Sequence, residues 1–134
     1  MKISSKGRYA VRVMAELGKH QNQFVSVTML SEKQNISPKY LEKIISMLVK
    51  AKLIESSRGV DGGYKLVKQP NDYTIAEILK ATNDLPCIAP CLENNKNCPM
   101  SNKCDSIGCW EKLNAMIVDY LSKITLENLL NKTF

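Results

Sequence analysis

Residues 37–50 read SPKYLEKIISMLVK and carry a full set of signals for one amphipathic helix. Ser37 is a preferred N-cap residue, and Pro38 suits the first helical position because it has no N–H to leave unpaired. Charged and polar side chains occupy the outer face of this segment. Apolar side chains recur at helical spacing on the other face, at Leu41, Ile44, Ile45 and Leu48. We therefore expect a helix with a buried face and a basic, polar outer face.

Two helical segments precede it. Apolar residues repeat at helical spacing from Ser4 to Leu17, and Gly18 follows as a stop signal. A shorter helix is expected to begin at a cap provided by Ser26 or Thr28 and to run through Lys33. Residues 34–36 then make a tight connection to the next helix. Two helices joined by such a turn, the second with a basic outer face, indicate a helix-turn-helix unit.

The hydrophobic period changes from helical to alternating after residue 50. Leu53–Ser57 and Tyr64–Val67 are predicted strands, and the glycine-rich, basic segment 58–63 lies between them. A hairpin that directly follows a helix-turn-helix gives the winged-helix order of elements. The predicted fold class is therefore mainly α with a small β-hairpin wing.

Further helices are predicted in the second half of the chain. Thr74 and Glu77 have the spacing of a capping box at the start of a fourth helix. An apolar stripe at helical spacing runs from Trp110 to Ile124, and Thr125 caps a last helix. The stripe has more apolar residues than a lone peripheral helix needs, so we expect it to serve as a dimerisation helix.

We divide this single compact unit into three parts. Residues 1–84 are the predicted winged helix-turn-helix DNA-binding domain. Residues 85–109 are an aperiodic loop that contains every cysteine of the protein. Residues 110–134 hold the dimerisation helix and the C-terminal helix.

Charge is distributed unevenly along the 134 residues, whose formal net charge is +6. Residues 1–70 carry 13 Lys and Arg against 5 Asp and Glu, giving +8, and residues 71–134 carry 6 against 8, giving −2. A basic first half indicates a polyanionic partner, most often nucleic acid. No apolar run is long enough for a membrane span or a secretory signal, so we expect a cytoplasmic protein with no membrane partner. No nucleophile with a base, phosphate loop or acid pair emerges, so the chain is not expected to be an enzyme.

The five cysteines lie close together in sequence, which favours metal or redox chemistry over a disulfide scaffold. Zinc sites usually contain tight pairs of ligands, whereas wider spacing leaves slack to wrap an iron-sulfur cluster. Spacing alone leaves four possibilities open: a cluster, a zinc site, a redox thiol switch, or cysteines that serve only as small apolar residues. The cysteines are Cys87, Cys91, Cys98, Cys104 and Cys109.

Four motifs resemble the IscR-like family of bacterial winged helix-turn-helix transcription regulators, whose relatives include NsrR and CymR. They are the segments Ser5–Val11, Ile36–Glu42 and Ser57–Tyr64, and the cysteine run before Trp110. The resemblance covers nearly the whole chain. It implies a homodimer that binds double-stranded operator DNA and carries a cluster in the cysteine-rich loop.

The resemblance also implies the cluster ligands. Cys91, Cys98 and Cys104 match the three cluster cysteines of the family. Ile107 stands at the position of the family's histidine ligand and cannot coordinate iron. The candidates for a fourth ligand are Asp105, Cys109 and Cys87. We expect a [2Fe-2S] cluster ahead of a [4Fe-4S] cluster.

On the DNA side, Glu42 and Lys43 match positions that face the bases, and Arg58 matches a wing arginine that enters the narrow minor groove, with Ser56 nearby. A glutamate in the major groove can accept from cytosine but repels phosphate. The remaining expected DNA-binding residues are Arg8, Ser37, Lys39, Tyr40 and Gly62.

The resulting hypothesis is a cluster-dependent repressor of iron-sulfur assembly or related redox and iron genes, with the iron-sulfur assembly machinery as a further partner. Two alternatives stay open: a cluster-free repressor of cysteine metabolism of the CymR type, and an adaptor protein that uses zinc or redox thiols.

Overall fold

The computed structural model describes residues 1–93 and 98–134. The first half contains α1 (Ser5–Lys19), α2 (Val27–Gln34), α3 (Pro38–Lys50), β1 (Ile54–Ser57) and β2 (Gly63–Leu66). A 3-10 turn at Pro70–Asp72 leads to α4 (Ile75–Ala81), and α5 (Pro90–Glu93), α6 (Ile107–Lys123) and α7 (Leu126–Asn131) follow. The predicted class, mainly helical with a two-stranded wing, is confirmed.

Side chains close the N-termini of the helix-turn-helix as the sequence predicts. Ser26, and not Thr28, caps α2, because its Oγ accepts from the amide of Met29 at 3.1 Å. Ser37 caps α3 by accepting from the amide of Tyr40 at 3.3 Å. Between these helices Asn35 adopts the left-handed conformation with φ 51°. This residue reverses the chain, and α3 then packs its apolar face inward.

The wing is an antiparallel hairpin that pairs Ile54 with Leu66 and Ser57 with Gly63. It is fastened to the segment before α2, because the amides and carbonyls of Val25 and Tyr64 exchange hydrogen bonds of 2.8 and 2.9 Å. Gly63 has φ 146°, and a Cβ there would lie 2.2 Å from the Val25 carbonyl oxygen. Glycine is therefore required where the wing crosses this segment.

One hydrophobic core joins α1, α3, α4 and α7, with Leu17, Leu48, Ile78 and Leu126 almost completely buried. Thr125 begins α7 as predicted, and a reciprocal pair of hydrogen bonds with Asn128 closes the helix end. The amide of Ile75 donates to the Ile124 carbonyl at 2.9 Å, so the C-terminal segment is tied to the start of α4.

The prediction that Gly18 stops the first helix is wrong, since α1 continues through Lys19. Gly18 is buried, and a Cβ there would lie 3.0 Å from Leu130 Cδ1 on α7. The absence of a side chain lets α7 approach the backbone of α1, so this glycine serves packing.

The cysteine-rich segment is less irregular than predicted. Pro90–Glu93 forms one helical turn, and α6 begins at Ile107, three residues before Trp110. In the described chain no residue of α6 is buried. The two described ranges contain no helix long and apolar enough to cross a membrane.

Candidate DNA interface and thiol cavity

The outer face of α3 presents the side chains that the sequence predicts for contact with DNA. Lys39, Glu42 and Lys43 are exposed. Tyr40 is half-buried, and its ring packs edge-on against Tyr9 with centroids 5.9 Å apart. The polar positions are therefore free for a partner, while the aromatic pair fixes the start of α3 against α1.

A groove separates α3 from the wing. Its volume is about 400 Å³, and its walls include Glu42, Ser46 and Lys50 of α3 together with Ser56 and Tyr64 of the hairpin. Glu42 and Ser56, which are predicted separately, thus face one groove. This arrangement places an acceptor, hydroxyl groups and a cation along the same surface.

The wing tip carries the predicted Arg58, which is fully available to a partner because its side chain is exposed. Gly62 is half-buried, and its amide donates to the Gly59 carbonyl at 3.1 Å. A Cβ on Gly62 would lie 2.4 Å from the Ser57 carbonyl oxygen. Gly62 therefore shapes the turn that presents Arg58.

A polar network behind α3 was not predicted from sequence. Gln34 Nε2 donates to Glu16 Oε2 at 2.9 Å, and Gln34 Oε1 accepts from Arg12 Nε at 3.0 Å. The Arg12 guanidinium also donates to the Gln34 carbonyl and lies 5.1 Å from the centroid of the Tyr9 ring. Arg12 therefore braces α1 against the turn before α3, whereas Arg8 is exposed and bonds locally to Ser5.

Glu16 is the anionic centre of this network and is almost completely buried. Burial raises the pKa of its carboxyl, but hydrogen bonding and charge from Lys19 and hydrogen bonds from His20 and Gln34 outweigh burial, so the pKa is below the ordinary 4.5. The carboxylate therefore stays charged and keeps its three donors in place.

The three cysteines implied by the resemblance line a single cavity. Its volume is about 130 Å³, and Cys91, Cys98 and Cys104 contribute to its wall. The other lining residues are Ser101, Asn102, Ile107 and Glu111. Residues from α5, from the loop and from the first two turns of α6 thus surround one small space.

Cys104 has a sulfur environment suited to ligation. The Ser106 hydroxyl lies 3.3 Å from Cys104 Sγ, and together with the Ser106 backbone amide it lowers the pKa of the Cys104 thiol. The thiolate is the form that binds metals, so this environment favours the ligating state.

The cavity brings together three side chains of the type that mainly holds iron-sulfur clusters. Among the described residues, no three Cys, His, Asp or Glu side chains converge closely enough to hold one metal ion. The fit to a cluster therefore rests on the chemistry of the three thiols and on the cavity that they share.

None of the three fourth-ligand candidates from sequence is among the described residues that line this cavity. Cys87 is half-buried, and its sulfur lies 3.3 Å from the Ala89 carbonyl oxygen. Asp105 and Cys109 are exposed. Sequence alone did not identify Glu111 as a cavity-lining residue. It predicts a helix that begins at Trp110, whereas α6 begins at Ile107, so that Ile107 and Glu111 lie one helical turn apart on the same face.

The remaining surface of interest is the apolar face of α6. Trp110, Leu113, Met116 and Tyr120 are between 42% and 59% exposed. An apolar hollow of about 470 Å³ borders this face and is lined by Trp110, Leu113 and Ile117 among others. Large apolar side chains grouped along one helix mark a contact surface.

Comparisons with known proteins agree with this geometry. A sequence profile of the Rrf2 family, described as iron-dependent transcriptional regulators, matches residues 3–132. The HTH-type transcriptional regulator IscR of Photorhabdus laumondii is 36% identical over 132 residues, which cover 98% of this chain and 80% of that protein.

Two solved structures share the fold over the whole chain. CymR (YrzC), the global cysteine regulator of B. subtilis, superposes with a TM-score of 0.81 at 30% identity and is matched over 99% of its length. IscR of T. potens superposes with a TM-score of 0.78 at 32% identity and is matched over 89% of its length.

Proposed function

Because the chain belongs to the Rrf2 family of transcriptional regulators, we propose that it is a dimeric repressor whose operator affinity depends on an iron-sulfur cluster bound by Cys91, Cys98 and Cys104. Its relatives are named as transcriptional regulators and not as enzymes. One observation supports the cluster above all others: these three thiols line a single cavity.

The DNA-binding part of the proposal rests on the α3 face and the wing. Lys39 and Lys43 supply cations for phosphate, and the Glu42 carboxylate supplies an acceptor for a base edge. Arg58 is exposed at the wing tip, where in the proposed complex it would enter the minor groove. Ser37, Tyr40 and Ser56 add hydroxyl groups, and Gly62 maintains the wing tip.

The dimer part rests on the apolar face of α6. A second copy that packs against Trp110, Leu113 and Tyr120 would remove these side chains from water and place two recognition helices around one two-fold axis. Such a dimer matches a palindromic operator.

The two faces of α6 connect the cluster to the DNA. Ile107 and Glu111 line the thiol cavity, whereas Trp110 and Leu113 border the apolar hollow. A centre bound by the thiols would order the start of α6 and so favour one arrangement of the dimer over another. The effect on operator binding is then a population shift between these arrangements.

We place the regulated genes among those for iron-sulfur assembly and related redox or iron functions, and the protein in the cytoplasm. The iron-sulfur assembly machinery would supply the cluster, with [2Fe-2S] preferred over [4Fe-4S]. The fourth ligand proposed from sequence is Asp105, Cys109 or Cys87.

The test compares wild type with the triple variant C91A/C98A/C104A after anaerobic reconstitution with ferrous iron and sulfide. Iron, sulfide and visible absorbance are measured first. Binding to labelled promoter DNA is then measured at fixed salt for loaded and stripped wild type. We expect a cluster in wild type alone and a change in DNA affinity of about 5-fold or more on loading. If loaded and stripped wild type bind promoter DNA with equal affinity, the cluster does not regulate operator binding.

The similarity to CymR supports a second candidate, a cluster-free repressor that responds to cysteine metabolism. This candidate predicts specific DNA binding by wild type that takes up no iron and sulfide. A zinc or redox-thiol adaptor predicts instead zinc uptake or thiol oxidation without salt-sensitive binding to promoter DNA.

A further inference from the structure

We propose that the Glu111 carboxylate is the non-cysteine ligand of the centre in the thiol cavity, supplied by the same chain as the three cysteines. This inference rests on the proposed function, since it presumes that Cys91, Cys98 and Cys104 hold a cluster. It assigns the fourth position to a side chain outside the set predicted from sequence.

The cavity lining itself selects Glu111. Among the described residues that line the cavity, Glu111 is the one ionisable side chain besides the three cysteines. The other lining side chains are the Ser101 hydroxyl, the Asn102 amide and the hydrocarbon chain of Ile107. Carboxylate oxygen is a common anionic ligand of iron, whereas a neutral hydroxyl or amide is a weak one and a hydrocarbon cannot coordinate.

Helix geometry explains why Glu111 reaches the same space as the thiols. Ile107 and Glu111 are four residues apart on α6, so their side chains share one face. Cys109 lies between them in sequence but points roughly 160° away from Glu111 at 100° per residue. Cys109 is thus on the side of Leu113 and Tyr120, away from the cavity.

The position of Glu111 also allows its carboxylate to stay hydrated before a centre binds. It borders a second, open hollow of about 510 Å³ together with Leu92, Asn114 and Asp119. An anionic side chain in contact with water carries little desolvation cost while the cavity holds no metal. The same carboxylate can then turn inward as a ligand when iron is present.

Ligation by Glu111 would couple the centre directly to α6. The three cysteines lie in α5 and in the loop before α6, so cysteine ligation alone places no ligand on α6. A bond from Glu111 places one ligand on the helix that also carries Trp110 and Leu113. Binding or loss of the centre would then directly change the position of the helix that carries the apolar face of α6.

The test uses the full chain, reconstituted anaerobically with ferrous iron and sulfide, as wild type, E111Q and E111C, with E127Q as the matched control. Glu127 is an exposed glutamate on α7 and is not a cavity-lining residue. Four properties are measured: iron and sulfide content, the visible spectrum, the reduction potential, and the rate of iron loss to a chelator.

We expect E111Q to lose iron to the chelator about 10-fold faster than wild type or more, with an altered spectrum. E111C should restore retention and lower the reduction potential, because thiolate donates more electron density than carboxylate. E127Q should behave as wild type. Unchanged spectrum, potential and iron loss in E111Q would overturn the inference and leave the proposed function standing. Failure of wild type to take up iron and sulfide would overturn both.

Discussion

The hydroxyl of Tyr73 donates a hydrogen bond to the carbonyl oxygen of Leu53 at 2.7 Å. The Tyr73 hydroxyl oxygen in turn accepts from the amides of Val67 and Lys68 at 2.9 and 2.8 Å. Leu53 precedes β1 and Val67 follows β2, so one buried side chain holds both ends of the wing. Tyr73 itself stands just before α4, and the wing is thereby fixed to the core.

Removal of this hydroxyl in Y73F should destabilise the protein by about 2–3 kcal/mol, because a carbonyl and two amides lose a buried partner. Urea unfolding followed by circular dichroism measures the loss. Y120F is the control, since Tyr120 is exposed on α6 and should change stability by less than about 0.5 kcal/mol. Equal effects of the two variants would contradict the role of Tyr73 as the anchor of the wing.

The same change, glycine to alanine, should have opposite effects at two helical positions. A Cβ at Gly7 would lie 2.0 Å from Asp84 Oδ2, and that oxygen accepts from the Ser4 amide at 2.8 Å. A Cβ at Gly108 would meet nothing within 4 Å. We expect G7A to lower the free energy of unfolding by about 1 kcal/mol, even after the gain in helix propensity from alanine is included. We expect G108A to raise the free energy of unfolding by about 0.5–1 kcal/mol.

The variant D84A tests whether Asp84 is the reason that G7A destabilises the protein. D84A removes the side chain that a Cβ at position 7 would meet, so G7A/D84A should be more stable than D84A alone. Thermal unfolding of wild type, G7A, D84A and G7A/D84A gives the comparison. If G7A destabilises D84A as strongly as it destabilises wild type, then contact with Asp84 is not the reason for glycine at this position.

Acid should weaken the network centred on Glu16. Its pKa lies below 4.5 in the folded protein, so its contribution to stability is present above pH 4.5 and is lost as pH falls through the folded pKa. E16Q should therefore be less stable than wild type at pH 7, by about 1–3 kcal/mol, and the difference should narrow at lower pH.

Urea unfolding at pH 7 and at successively lower pH measures this difference for Glu16. E32Q is the matched control, because Glu32 is an exposed carboxylate on α2. If the difference in free energy of unfolding between wild type and E16Q stays constant with pH, the charge on Glu16 does not stabilise the fold.

The sequence predicts those features whose causes are local. Ser37 and Pro38 lie next to each other and signal the start of α3 without help from the rest of the chain. Gly18 misleads because a glycine near a helix end looks like a stop, while the actual reason for it is Leu130, more than a hundred residues away. Tyr73 gives no sequence signal, since its partners are one carbonyl and two amides of the backbone, which residues of almost any type can supply.

In the thiol cavity, too, some lining residues are predictable from sequence and others depend on the folded structure. The resemblance implies Cys91, Cys98 and Cys104, and the structure places all three around one space. Glu111 joins them through the helical face that it shares with Ile107, and this relation requires the true start of α6. A helix that begins within the irregular, cysteine-rich segment is hard to foresee, because the Ser106 side chain makes no capping hydrogen bond.

An acidic residue in the apolar face of α6 should separate the proposed dimer. L113D puts a charge where two copies would exclude water, so we expect a monomer by light scattering and a loss of operator binding of at least about 10-fold. A115D is the control, because Ala115 is exposed on α6 but lines the hollow beside Glu111 instead of the apolar face. A dimeric L113D would exclude this face as the interface.

The wing arginine should contribute both charge and shape recognition to DNA binding. Arg58 is exposed at the tip of the hairpin, where a contact in the minor groove displaces counterions from the duplex. R58A should weaken promoter binding by about 1–3 kcal/mol and reduce the slope of log affinity against log salt by about 0.9. Fluorescence anisotropy at several salt concentrations measures both quantities.

Two further variants separate the roles of Arg58. R58K keeps the charge, so it should retain the salt slope, but it should lose part of the preference for operators with a narrow minor groove, because guanidinium enters such grooves more readily than strongly hydrated ammonium does. K112A removes an exposed cation from α6 and should leave both slope and affinity unchanged. If R58A and K112A give the same slope as wild type, the wing makes no ionic contact, and recognition rests on α3 alone.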